Sequence, residues 1–143
     1  MIRKVLALLL TLLLGVMSSC IVLAEDLNDP EPVDQDYAYA QDVVLSIRLS
    51  GNSVVCHGYV SSRDSSTTTS VTITLQRKLS ASSIWSYVCS WSGSVSGTAK
   101  AIASGNHSVS SGYDYRIRMY WKISNSSGTI LENGTEYSNV VSY

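Results

Sequence analysis

The sequence predicts an all-β protein, an antiparallel β-sandwich of about seven strands, and three observations carry that expectation. The first is residues 112–123, where Tyr113, Tyr115, Ile117, Met119, Trp121 and Ile123 share one parity and Asp114, Arg116, Arg118, Tyr120 and Lys122 the other. A helix would mix the two sets. A strand that is apolar on one side and charged on the other belongs to an antiparallel sheet, and its apolar side requires a second sheet to cover it. The second observation is that shorter runs of the same alternation recur along the chain, separated by Gly, Ser and Asn, with no sustained helical periodicity. The third is composition: no Phe, nine Tyr and 15% charged residues suit an extracellular β-protein better than a cytoplasmic enzyme. A small β-barrel is the alternative architecture.

The first alternating run is expected over residues 43–50, with Val43, Leu45, Ile47 and Leu49 on one side. Gly51-Asn52 is a tight hairpin signal, and the returning strand over 53–61 places Val54, Cys56, Gly58 and Val60 inward. A polar loop over 62–69 leads to a strand with Val71, Ile73, Leu75 and Leu79 on its inner row. In 84–92 the side carrying Trp85, Tyr87, Cys89 and Trp91 is the expected core face. The weak stretch 98–110 is expected to hold one or two short strands broken at Gly105-Asn106. After the strand at 112–123 comes a turn over 124–128 and a last strand in 129–142, kinked or bulged at Gly134.

Ahead of these strands, residues 1–24 have the layout of an export signal: Arg3 and Lys4, an apolar stretch over 5–16, and the small-residue site Val22-Leu23-Ala24. A retained membrane anchor is the alternative by length, although Ser18, Ser19 and Cys20 interrupt it. Lipidation at Cys20 is a second alternative, and Met17-Ser18-Ser19 suits it poorly. Residues 25–42 hold both prolines and most of the acids and are expected to form an extended spacer before the domain at 43–143. Beyond Asp42 the acids are Asp64, Asp114, Glu132 and Glu136, against Arg48, Arg63, Arg77, Lys78, Lys100, Arg116, Arg118 and Lys122. The net charge of −1 is therefore the sum of an acidic arm and a basic body.

The number and spacing of the strands are the pattern of an immunoglobulin-like or fibronectin III-like sandwich. Gly112, Tyr115, Arg116 and Arg118, followed by the turn from Asn125 to Gly128 and by Ser138 before Val140 and Val141, resemble the end of a fibronectin type III domain. Leu75-Gln76-Arg77-Lys78, Trp85, Ser90-Trp91, Gly112, Tyr115-Arg116 and Tyr137-Ser138, with the leader and acidic spacer, are similar to a group of small secreted bacterial proteins classed as a domain of unknown function. That resemblance implies export from a Gram-positive-type bacterium and implies no activity, so no catalytic residue is carried over from it.

The residues offer little to a catalyst. His57 and His107 stand in no metal-site spacing, and no cofactor is expected. In Gly93-Ser-Val-Ser-Gly97 a nucleophile elbow would have its nucleophile at Val95. Trp85, Trp91 and Trp121 each share parity with apolar neighbours and are expected in the core, a sugar-stacking platform being the alternative. Tyr59, Tyr120 and Tyr143 are the candidates for exposure. The Asn-x-Ser/Thr triplets at Asn106, Asn125 and Asn133 are read as turn chemistry. Cys56 and Cys89, the cysteines left after leader removal, lie on apolar rows and are expected to pair in an oxidising environment.

Arg116, Arg118, Tyr120 and Lys122 form the candidate anion- or ligand-binding row, unless Glu132 and Glu136 neutralise it as surface ion pairs. The expectation is a secreted module without enzymatic activity that binds a cell-wall polymer or another surface protein, with no nucleic acid and, once the leader is gone, no membrane. A carbohydrate-binding module is the first alternative and a hydrolase the weaker second.

Cleavage after Ala24 is expected because its small residues suit a signal peptidase. The intact mass of the exported protein should match a chain that starts at Glu25; a lipidated Cys20 or an uncleaved leader would contradict this.

Overall fold

The alternating runs become strands, and the strands form two antiparallel sheets that face each other. The structure, a computed structural model, describes residues 36–143; the expected leader, Cys20 and the spacer up to residue 35 lie outside the described residues. The strands are β1 (Ala40–Ser50), β2 (Ser53–Ser62), β3 (Thr68–Leu79), β4 (Ser86–Ser96), β5 (Lys100–Ser108), β6 (Tyr113–Ser124), β7 (Ile130–Tyr137) and a short β8 (Val141–Ser142). One sheet has the order β1-β2-β5; the other has the order β4-β3-β6-β7, with β8 also paired to β6. The sheets do not close into a barrel. This is an immunoglobulin/fibronectin III-like sandwich in which β4 stays beside β3 as a hairpin and β5 crosses to the opposite sheet.

The centre of the core is the β3–β6 pair. Val71, Ile73 and Leu75 of β3 and Tyr115, Ile117, Met119, Trp121 and Ile123 of β6 are all buried, and the facing sheet supplies Ile47, Val54, Cys56, Val60, Ala101 and Ala103. Gly58 on β2 lets this layer close: a Cβ there would come within 2.9 Å of Ile73. At the lateral edge where β4 meets β5 the two backbones nearly touch, because a Cβ on Gly93 would collide with the Ile102 carbonyl.

Four local expectations are corrected. Opposite Leu75 and Gln76 the β3–β4 register shifts, Leu75 pairing with Cys89 and Gln76 with Tyr87, so Val88 is the extra residue of a bulge. The bulge reverses parity: Cys89 and Trp91 stay on the core side, Tyr87 turns outward and is 67% exposed, and Trp85 precedes the strand. Second, the stretch expected to break at Gly105-Asn106 is one continuous strand, β5, in which Gly105 is the bare surface that receives the Trp91 indole. Third, Gly134 lies inside β7 without a register shift of its own, and its missing Cβ makes room for Trp121. Fourth, Cys56 and Cys89 are free thiols here, not a disulfide. They sit on opposite sheets, where strand parity sets the direction of a side chain but not its distance from a partner. Burial, with Cys89 nearby, pushes the Cys56 thiol up to about 12.

Residues 37–42, expected as spacer, belong to the folded domain. Tyr37 and Tyr39 pack on the core, Ala40 is fully buried, and β1 begins there. The Glu132 carboxylate accepts the backbone N–H groups of Ala38, Tyr39 and Ala40 at 2.9, 2.9 and 2.8 Å. Tyr37 donates its hydroxyl to Glu136 at 2.9 Å and stands edge-on to the Trp121 ring, centroids 5.1 Å apart. Burial and the Glu136 carboxylate push the Tyr37 phenol up to about 12.

Removing the Glu132 carboxylate leaves three amide donors without that acceptor. Glu132→Ala is therefore expected to lower stability by about 2 kcal/mol, the scale of hydrogen bonds to a charged group. Chemical denaturation reads this directly, and a loss below about 0.5 kcal/mol, the scatter of an ordinary surface change, would show that the segment is held by its tyrosines alone.

Candidate functional site

Because the inner rows of β3 and β6 are buried, their alternate residues all lie on the outer face of the five-stranded sheet. The register fixes the neighbours across that face: Ser70 with Lys122, Thr72 with Tyr120, Thr74 with Arg118 and Gln76 with Arg116. On the far side of β6, Asn133 lies opposite Lys122, Thr135 opposite Tyr120 and Tyr137 opposite Arg118. The β3–β4 side of the face is lined with paired hydroxyls: Thr68 with Ser96 at 3.2 Å, Ser70 with Ser94 at 3.0 Å and Thr72 with Ser92 at 2.8 Å. Cross-strand pairs of this kind give a flat neutral surface and each contribute roughly 0.2–1 kcal/mol.

All four residues of the expected row, Arg116, Arg118, Tyr120 and Lys122, are therefore on one open face, but they are not equivalent. Arg116 is partly buried by two rings: its Cζ lies 4.2 Å from the Trp85 ring centroid and 4.6 Å from that of Tyr137. Its Nε donates to Gln76 Oε1 at 2.9 Å, while its two terminal nitrogens have no protein acceptor among the described residues. Arg118 and Tyr120 are exposed and Lys122 is half-buried.

The acids of the domain are committed elsewhere. Asp114, at the end of the row, takes an ion pair from Lys78 at 2.7 Å and hydroxyl hydrogen bonds from Ser80 and Ser142 at 3.0 and 2.8 Å. The Lys78 and Ser142 hydrogen bonds hold its carboxyl below the usual carboxylate range. Glu132 and Glu136 do not neutralise the row: they pair in register with Ile123 and Met119 on the inward side of β7 and hold the segment at residues 37–40. Among the described residues, Arg116, Arg118 and Lys122 form no ion pair.

Three members of the site went unrecognised in the sequence. Trp85 was expected in the core, and the bulge explains its release to the surface. Tyr137 shares parity with Asn133 and Thr135, a polar row that marks it as outward-facing. Gln76 stands on the outward row of β3, and only the register reveals that it faces Arg116. The remaining candidates lie off this face. His57 packs against Tyr59 on the other sheet, and His107 Nδ1 is 3.8 Å from the Cys89 sulfur. Among the described residues no three metal-capable side chains come together. Trp121 is fully buried and Trp91 is packed on Gly105, as a core role requires.

No protein-family model, curated protein or solved structure matches the chain.

Proposed function

We propose that the protein is an exported binding module without enzymatic activity, and that it holds an anionic polymer of the cell surface on the outer face of the β4-β3-β6-β7 sheet. The observation that supports this reading is the row Arg116, Arg118 and Lys122, uncompensated among the described residues while the nearby acids are turned inward or paired. Alternate side chains on one strand face stand about 7 Å apart. A linear polymer with repeated negative charge can meet all three cations at once on an open face. Such contacts are screened by salt and tolerant of ligand detail. The leader layout and the resemblance to small secreted proteins support placing the module outside the cell. The sandwich itself favours no function, since this architecture hosts many.

A carbohydrate-binding module is the second reading, and the observation in its favour is the position of Trp85 and Tyr137 on this face instead of in the core.

The double variant Arg116→Ser with Arg118→Ser tests the proposal on isolated cell walls at low salt. A cation at an anionic surface is worth about 1 kcal/mol, so the loss of two is expected to weaken retention about thirtyfold. Undiminished retention of a folded double variant would refute the proposal.

A further inference from the structure

We infer that Arg116 reads a carboxylate carried on a sugar ring, so that the polymer held on this face is an acidic polysaccharide. This inference rests on the anionic-polymer reading above and narrows it to one chemical class.

An exposed arginine on a strand samples many rotamers, whereas the Arg116 guanidinium is flanked by Trp85 and Tyr137 and tied at Nε by Gln76. Its plane is thereby restrained, and the N–H groups of its two terminal nitrogens remain without protein acceptors among the described residues. A restrained planar fork with free donors suits a planar, two-oxygen anion, which it can grip through two parallel hydrogen bonds. The nearest acid on the same row, Asp114, cannot take that place without giving up its contacts: Lys78 donates to one oxygen and Ser80 and Ser142 to the other.

The surroundings identify what carries the anion. Tyr137 is 54% exposed beside the guanidinium, and Tyr87, directly across β3 from Arg116, is 67% exposed. Each offers an apolar ring surface at the level of the sheet. Next to them the face carries the hydroxyl side chains of Thr74 and Ser90, which lie in register with Arg118 and Tyr137 and offer donor and acceptor capacity for a ligand's hydroxyls. A pyranose carboxylate has all three complementary parts in one residue: a C–H face for a ring, hydroxyls at its rim and a carboxylate for the fork. A polyol phosphate satisfies the fork but brings no ring, and a neutral glycan satisfies the rings but leaves the fork empty.

The test titrates the protein, with residues 37–40 intact, against polygalacturonate, its fully methyl-esterified form and inorganic polyphosphate, following binding by calorimetry and folding by thermal melting. Polygalacturonate should bind about tenfold or more tightly than either comparison polymer, because only it engages both the fork and the rings. Arg116→Lys keeps the charge and loses the fork, so it should weaken polygalacturonate and polyphosphate alike, each about tenfold. Tyr137→Leu leaves every charge in place, alters an exposed side chain and should weaken polygalacturonate about tenfold while changing polyphosphate binding less than about twofold, so the inference stays testable if the arginine variant folds poorly. Equal binding of polygalacturonate and polyphosphate by the parent, or equal losses for both in Tyr137→Leu, would overturn the sugar-carboxylate inference while leaving the anionic-polymer reading in place. Methyl-esterified polymer bound as tightly as polygalacturonate, or binding of none of the three, would overturn both.

Discussion

The unbroken pairing of β3 with β6, from Thr68 opposite Ser124 to Leu79 opposite Tyr113, is the constraint on which the rest of the structure depends. It places the two strands that supply most of the buried side chains of their sheet side by side, and it does so without a bulge. Side chains on a strand alternate with period two, so burying Ile73, Leu75, Ile117, Met119 and Trp121 aims Thr72, Thr74, Arg116, Arg118 and Tyr120 at solvent. A slip of one residue would bury the arginines. The straightness of the cationic row is thus a consequence of core packing, and what remains to be explained by binding is only its composition.

The same logic sorts the acids. On β7 the inward row is Glu132, Gly134 and Glu136, an unusual set for a core-facing strand. Gly134 makes space for Trp121, and the two glutamates become useful because the chain before β1 runs back over them, bringing three amide N–H groups and a tyrosine hydroxyl. An edge strand that would otherwise expose two inward-facing carboxylates is closed by a segment that needs acceptors. One cost is visible: the Trp121 indole N–H is buried without a protein acceptor among the described residues, a loss on the order of 1–3 kcal/mol for an unsatisfied donor. Tyr37, edge-on to that ring, is part of the packing that covers it.

How much of this was legible in the sequence follows from which signals are local. The alternation at residues 112–123 identified β6 and sorted its two faces, and Gly51-Asn52 placed the β1–β2 turn, where Gly51 adopts φ 59°. The row Arg116, Arg118, Tyr120 and Lys122 was legible for the same reason. The outward turn of Tyr87 and the release of Trp85 were not, because a single extra residue at Val88 reverses parity and leaves no mark in the alternation itself. Gly105 read as a breaker because its partner, the Trp91 ring, comes from another strand. Tyr37 and Tyr39 read as spacer because the groups that bind them lie more than ninety positions along the chain. The free state of Cys56 and Cys89 likewise leaves no local mark, because they lie on opposite sheets and parity is silent on pairing between sheets.

Whether the outer face of the five-stranded sheet is the binding surface is tested most directly by backbone and indole amide shifts mapped by NMR during titration with an acidic polysaccharide. The account predicts shifts concentrated at Gln76, Arg116, Arg118, Tyr137 and the Trp85 indole, fading as salt is raised. Shifts concentrated on the β1-β2-β5 sheet, around His57 and Tyr59, with the Arg116 row unmoved, would contradict it.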